Sequence, residues 1–291
     1  MFIYRRIFMK RFFIVILSFL MLFPLMAEED FFELCETGTA LQISAAIKAG
    51  ASVNDRDDYG WAPLMVAAAF NSNPEVVTTL LKAGASVNDR DDYEGTPLIH
   101  AAKYNSNPDV ITALLKAGAP VNDRNDYGMT PLIYAAQYNS NPDVITALLK
   151  AGASVNDRDD YGLAPLMVAA AFNSNPEVTI ALLKAGTSVN DRNDYGETPL
   201  MVAAQYNNDP EVITTLLNAG ASVNDRNDYG ETPLMYAAQY NNDPEVITTL
   251  LKAGADATTK NNRNKTAFDY AKENEDLKGT SAYWELNNAR F

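Results

Sequence analysis

Apolar positions in this chain fall into two alternating patterns. One is a short, dense block opened by proline, as in Pro199-Leu200-Met201-Val202-Ala203-Ala204. The other is a sparser stripe, Val212, Ile213, Leu216 and Leu217, in which the i, i+1, i+4, i+5 spacing predicts one apolar face on a helix. Each block carries its own start signal. Thr198-Pro199 and Asp209-Pro210-Glu211 both place a capping oxygen before a proline that gives up no needed donor, and Glu211 suits the helix dipole. Gly220 follows the second block as a C-terminal stop. The segment Asn224-Asp225-Arg226-Asn227-Asp228-Tyr229-Gly230 is turn chemistry throughout. One unit is therefore predicted to be two short helices and an irregular tip.

That unit recurs. Val-Asn-Asp-Arg begins at Val53, Val87, Val121, Val155, Val189 and Val223, and Pro63, Pro97, Pro131, Pro165, Pro199 and Pro233 keep the same step of 34 residues. A fixed period of this length signals a solenoid of units that cannot bury their apolar faces alone. Thr-Pro-Leu-x-x-Ala-Ala at Thr96, Thr130, Thr198 and Thr232, with Ala62 and Ala164 in place of threonine elsewhere, is joined by Leu-Leu-x-x-Gly-Ala-x-Val-Asn from Leu80 to Asn88 and its repeats. These motifs resemble the ankyrin repeat over about nine-tenths of the chain. The resemblance implies an all-α solenoid of stacked helix-turn-helix units with short hairpin-like loops. About eight units are expected, two of them caps: an N-terminal cap over 28–56, six full repeats over 57–260 and a C-terminal cap over 261–291. The 291 residues would allow two globular domains, but the unbroken repeat points to one elongated domain.

The chain departs from the family pattern in three places. The family's histidine is Met65, Ile99, Ile133, Met167, Met201 or Met235, so its polar link between units is expected to be absent. An extra residue in the inter-helix turn, as at Asn71-Ser72-Asn73-Pro74, accounts for the longer period. Glu94-Gly95 inverts the usual glycine order, which predicts a distorted second tip.

The first 27 residues differ in kind. Arg5, Arg6, Lys10 and Arg11 precede an apolar run from Phe12 to Phe23, then Ala27, then Glu28-Glu29-Asp30, a secretory signal pattern with cleavage after Ala27. The run is short for a membrane span of ~20 residues, and an uncleaved anchor is the alternative. Met9-Lys10-Arg11 would make a complete start of its own, and Arg5-Arg6 gives a loose twin-arginine likeness. The residue directly after the cleavage point is Glu28 and not a cysteine, which argues against a lipoprotein. The full chain carries a net charge of −14; loss of residues 1–27 removes four basic residues and leaves −18. Such a charge repels nucleic acid and anionic membranes. One cysteine permits no internal disulfide. The expected localisation is periplasmic or secreted, in a bacterial context, with membrane contact through the N-terminal segment if that is retained.

Catalytic chemistry is poorly supplied. The single histidine, His100, has no sequence-adjacent partner, and Cys35 reads as a small buried residue of the first cap. Acidic clusters such as Asp55, Asp57 and Asp58 recur at every tip, which suits a scaffold better than a site. Asp55 to Val66 fails as a calcium loop, with Tyr59 and Val66 at ligand positions, and leaves weak calcium binding open. No catalytic residue, metal site or cofactor is expected.

Binding is better supplied. The resemblance implies that partners meet the tips and the adjoining concave face. Tyr59, Tyr93, Tyr127, Tyr161, Tyr195 and Tyr229 stand at the tips, with Arg56, Arg90, Arg124, Arg158, Arg192 and Arg226 three residues before them. Tyrosine and arginine dominate interface energetics. Phe70, Tyr104, Tyr138, Phe172, Tyr206 and Tyr240 end the first helices and read rather as packing between units. The position after the tip glycine runs Trp61, Met129, Leu163, Glu197, Glu231, apolar early and acidic late. Trp61, with little structural work expected of it, is the leading candidate, joined by His100, Met129, Tyr134 and the tip tyrosines. The sequence thus reads as an exported, monomeric, non-enzymatic module that binds an unidentified protein partner, not nucleic acid. An anchored envelope scaffold, and an exported inhibitor or accessory protein of a separate enzyme, are the alternatives. The signal reading predicts that the mature protein begins at Glu28. Intact mass decides this: retention of residues 12–23 would mark an anchor.

Overall fold

Proline at the first helical position sets where each helix of the repeat begins. In the computed structural model, which describes residues 30–289, twelve helices open on such a proline. The described residues form sixteen helices. The first cap holds α1 (Phe31–Thr37) and α2 (Ala40–Lys48). The repeats follow as pairs: α3 (Pro63–Phe70) and α4 (Pro74–Lys82), α5 (Pro97–Tyr104) and α6 (Pro108–Lys116), α7 (Pro131–Tyr138) and α8 (Pro142–Lys150). Next come α9 (Pro165–Phe172) and α10 (Pro176–Lys184), α11 (Pro199–Tyr206) and α12 (Pro210–Asn218), α13 (Pro233–Tyr240) and α14 (Pro244–Lys252). The short α15 (Ala267–Ala271) and α16 (Ser281–Asn288) close the stack.

The first helices are sandwiched and the second helices lie outside. In α3 every residue from Pro63 to Ala69 is buried, and the paired alanines are why neighbouring first helices approach so closely. In α4 one face is buried, Val76, Val77 and Leu80. Thr96, Thr130, Thr198 and Thr232 cap their helices through the hydroxyl, whereas Ala62 and Ala164 have no side-chain cap. At Ala62 the Met65 Sδ accepts the free amide at 3.4 Å.

Two ladders of hydrogen bonds join the units. The first is buried. Each first helix ends in an asparagine whose Nδ2 donates to two backbone carbonyls of the preceding unit. Asn105 reaches Ala68 O at 3.0 Å and Asn71 O at 2.9 Å, and Asn139 reaches Ala102 O at 3.1 Å and Asn105 O at 2.9 Å. The pattern runs through Asn173, Asn207 and Asn241 to Asn274. At the other end Asn71 reaches Cys35 O and Gly38 O in the first cap. Each Oδ1 within the repeats accepts the amide two residues on, as Asn107 N does to Asn105 Oδ1 at 2.9 Å. The missing family histidine therefore does not leave the units without polar links: its slot is apolar and buried, and asparagine supplies the connection.

The second ladder runs along the tips. Arg124 Nη1 donates to its own Gly128 O at 2.8 Å and to Arg158 O of the next tip at 2.6 Å, while Nη2 lies 3.3 Å from Asp157. Arg56, Arg90 and Arg192 make the same three contacts, and Arg158 pairs with its own Gly162 O and Asp191. The arginines expected to face a partner are thus engaged in holding tip to tip.

The second tip is not distorted. Asp91 N donates to Gly95 O at 3.0 Å and Glu94 N to Asp91 O at 3.1 Å, as Asp57 N does to Trp61 O and Gly60 N to Asp57 O. Glu94 takes the left-handed conformation, φ 60°, that glycine takes in the other repeats. Gly95 is needed where it stands, since a Cβ there would lie 2.7 Å from Asp91 Oδ2 and 2.9 Å from His100 Nε2.

One core position breaks the pattern. In the fourth repeat Thr179-Ile180 reverses the Ile-Thr order of its neighbours, and Thr179 is fully buried with its hydroxyl unpartnered. Thr179→Val keeps the shape and removes the desolvated hydroxyl. It is expected to raise stability by about 1–2 kcal/mol, measured by urea denaturation. A loss of stability would mean that the hydroxyl has a partner.

Candidate functional site

The tips and the first helices together line two adjoining cavities. The first, about 720 Å³, lies against the first three repeats and the first cap; its walls include Trp61, Phe70, His100, Tyr104, Tyr59 and Tyr93. The second, about 620 Å³, continues along the third to fifth repeats past Met129, Tyr138, Leu163, Phe172, Tyr195 and Glu197. Lys103, Tyr127 and Tyr134 border both, so the two form one groove. Aromatic and aliphatic walls with a few fixed polar groups are the usual make-up of a binding cleft.

The tip tyrosines stand free above it. Tyr59, Tyr93, Tyr127, Tyr161, Tyr195 and Tyr229 are 48–70% exposed. Each is held by its backbone: Tyr59 N donates to Asp57 Oδ1 at 2.9 Å, and Tyr127 N to Asn125 Oδ1 at 3.1 Å. Their rings project from a rigid turn and carry no structural load.

Trp61 does not stand free. It is half-buried against the core, its ring 3.9 Å from that of His100 and 6.0 Å from that of Phe70, with which it is nearly parallel. The expectation of an unburdened tryptophan fails because Gly95 leaves His100 uncovered and Trp61 supplies the cover. Met129 and Leu163 are likewise half-buried in the groove wall, and Tyr134 is half-buried beneath it.

His100 is buried, and its partner is Asp91, 2.7 Å away. A carboxylate accepts, so Nε2 carries the hydrogen. Burial by itself would raise the Asp91 pKa, but the bonds from His100 and from the amides of Tyr93 and Gly95 outweigh it and hold this carboxyl below the ordinary range. The other nitrogen, Nδ1, is buried without a partner. Neither nitrogen is presented to a substrate. Asp91 was not singled out from the sequence, although the copies carried a signal. Where repeats have tyrosine at the His100 position, the Asp91 position is asparagine: Asn125 Nδ2 donates to Tyr134 OH and Asn227 Nδ2 to Tyr236 OH, both at 2.9 Å.

Cys35 is fully buried, and burial, with Asp30 adding to it, pushes its thiol up to about 12, which fits a packing residue. The helix-end aromatics prove to be both packing and surface. Phe70–Tyr104 and Phe172–Tyr206 meet across units at 5.5 and 5.3 Å, yet each of these rings is about half exposed in the groove. Lys103 was also missed; it lies against Tyr104, Tyr134 and Tyr138. Among the described residues no group of three or more His, Cys, Asp or Glu side chains is arranged to hold a metal ion, and no helix is long and apolar enough to cross a membrane. The signal or anchor reading of residues 1–27 lies outside the described residues.

The family model for ankyrin repeats (3 copies) matches residues 64–159, 141–227, 166–261 and 200–278, which together run through most of the chain. The chain belongs to the ankyrin-repeat family. The crystal structure of the human ASB11 ankyrin repeat domain superposes with a TM-score of 0.68 at 28% sequence identity, covering 79% of this chain and 98% of that one. A comparison with curated proteins finds no match. As an ankyrin-repeat chain the molecule is a protein–protein interaction module, and its all-helical stack of paired helices is the ankyrin solenoid.

The Asp91 position gives a test with opposite signs. Asp91 has a lowered pKa, so its stabilisation is present above the ordinary carboxylate pKa of ~4 and is lost as pH falls through its own value. At the same place in the fourth repeat, where Val168 stands at the histidine position, burial, more than its two amide donors offset, raises the pKa of Asp159. Its stabilisation belongs to the protonated form, present below ~4 and lost as pH rises through the raised value. At pH 7 Asp91→Asn is therefore expected to cost about 1–2 kcal/mol and Asp159→Asn to stabilise. Both effects should shrink towards pH 3 in urea melts; equal signs at pH 7 would contradict the assignment.

Proposed function

We propose that this ankyrin solenoid is an exported, non-enzymatic module that holds a segment of a partner protein in the groove of its first repeats. The exposed row of tyrosines above two adjoining cavities carries the reading. Tyrosines on rigid turns supply contact area at low entropic cost, and such anchors commonly cost ~2 kcal/mol or more when truncated. Trp61, His100, Tyr134 and Met129 form the floor and walls on which the segment rests. Glu33, Glu36 and Asp57 line the first cavity, which favours a basic or polar segment over an acidic one. The tripartite N-terminus supports export, and the buried nitrogens of His100 support a binding rather than a catalytic role.

The revised place of Trp61 changes the test. Trp61→Ala is expected to weaken partner binding at least tenfold, ~1.4 kcal/mol, and also to lower Tm, because it uncovers His100. Tyr59→Ala, at 68% exposure, is the clean probe: comparable loss of affinity with Tm unchanged. Tyr229→Ala, at the far end, should do much less. The measurement is calorimetric titration of a partner captured from the exported fraction, with thermal melts of each variant. Unchanged affinity in Tyr59→Ala and Trp61→Ala would move the site elsewhere.

A further inference from the structure

The chain carries one set of three tyrosines twice, and an ammonium of its own meets it once. At the junction of the second and third repeats Lys103 Nζ lies 4.7, 5.3 and 4.9 Å from the ring centroids of Tyr104, Tyr134 and Tyr138. An ammonium within about 6 Å of several ring faces is held by their quadrupoles. Three units further on, at the junction of the fifth and sixth repeats, the same positions hold Tyr206, Tyr236 and Tyr240. Two features of the arrangement repeat, although the Tyr236 and Tyr240 rings are inclined at 42° rather than 24°. Tyr236 and Tyr240 are 6.1 Å apart, as are Tyr134 and Tyr138, and Asn227 fixes the Tyr236 hydroxyl as Asn125 fixes that of Tyr134. Tyr236 is buried at the base, while Tyr206 and Tyr240 are each 53% exposed.

The copies differ at many positions, and Asn193 and Gly196 stand where Asp91 and Glu94 stand, but three differences bear on the cage itself. Gln205 stands where Lys103 stands, Glu197 where Gly95 stands, and Glu231 where Met129 stands. The copy that lacks its own cation has gained two carboxylates. Glu197 accepts from the Tyr236 hydroxyl and, at 2.7 Å, from Asn193 Nδ2; Glu231 accepts from the Tyr270 hydroxyl at 2.9 Å. Among the described residues neither carboxylate has an ion-pair partner. Burial, then the bond to Glu197 and the charges of Glu197 and Glu231, drive the Tyr236 pKa far above the ordinary phenol range, the signature of negative potential around this ring.

We propose that the cage of Tyr206, Tyr236 and Tyr240, with Glu197 and Glu231 beside it, binds the side-chain ammonium of a lysine on a partner protein. Lys103 shows that an ammonium on an unbranched stem fits against tyrosines at the equivalent positions of the earlier copy. A point charge suits the site better than a guanidinium: each oxygen of Glu197 already accepts one hydrogen bond, which leaves fewer directions free for an arginine's planar two-pronged face than for a compact ammonium. The cage lies beyond the Trp61 cavity, at the far end of the groove, where Tyr206 and Glu197 border the second cavity; the protein origin of the lysine rests on the interaction function, whereas the preference for an ammonium does not.

The test is ring-carbon NMR of ¹³C-tyrosine-labelled protein titrated with Nα-acetyl-lysine methylamide, with the norleucine analogue as the neutral control. Tyr206→Phe and Tyr240→Phe assign the signals. The lysine derivative is expected to shift the Tyr206, Tyr236 and Tyr240 signals saturably and the norleucine analogue to leave them in place. Gln205→Lys supplies an internal cation and should abolish the response. The double variant Glu197→Gln, Glu231→Gln keeps the hydroxyl acceptors and should weaken it at least fivefold. Equal responses to the two ligands, equal shifts at the tip tyrosines Tyr59 and Tyr161, or full binding by both folded variants would overturn the proposal. Failure here leaves the Trp61 cavity untouched, since that is read from partner affinity in Tyr59→Ala and shares none of the cage residues.

Discussion

The carbonyls at the ends of the first helices cannot reach water. They lie inside the stack, and a buried carbonyl without a donor is costly. One side chain per unit resolves this. Each asparagine donates two hydrogen bonds backwards and accepts one from its own turn, so the end of one helix is satisfied only by the correct placement of the next unit. The buried ladder therefore fixes both spacing and rotation between units. The arginine ladder repeats this at the tips, where exposed ion pairs contribute less but the carbonyl contacts keep the turns in line.

From that register the surface follows. Tyrosines one period apart become a row, and helix-end aromatics become a partly packed, partly open wall. Because every unit presents the same frame, a change at a single position alters the groove without altering the fold. Gly95 makes room for the Asp91–His100 pair, Trp61 covers it, and Glu94 accepts a left-handed backbone in consequence. Lys103 and Gln205 give two versions of one cage in the same way.

Much of this was legible in the sequence. Period, paired helices, proline starts, glycine stops and exposed tip tyrosines all follow from local chemistry within one unit. What was not legible depends on contacts between units. Arg124 read as an interface residue because its acceptors are a whole unit away, at Arg158 and Asp157. Asn71 read as part of an ordinary inter-helix turn for the same reason, its acceptors being Cys35 O and Gly38 O in the cap. Trp61 read as unburdened because its neighbour His100 belongs to the next repeat. Asp91 could have been found by comparing copies, since both repeats with tyrosine nine residues later carry asparagine there and the one with histidine carries aspartate.

The claim that the asparagine ladder sets the register is tested most directly at the centre of the stack. Asn139→Ala removes two donors to the second repeat and one acceptor for its own turn. By the cost of leaving buried polar groups unpaired, stability should fall by about 3 kcal/mol. Hydrogen exchange should show the amides of the second and third repeats opening ahead of the rest. A variant that loses under about 0.5 kcal/mol, the scale of an ordinary surface change, with uniform exchange along the stack, would contradict the account.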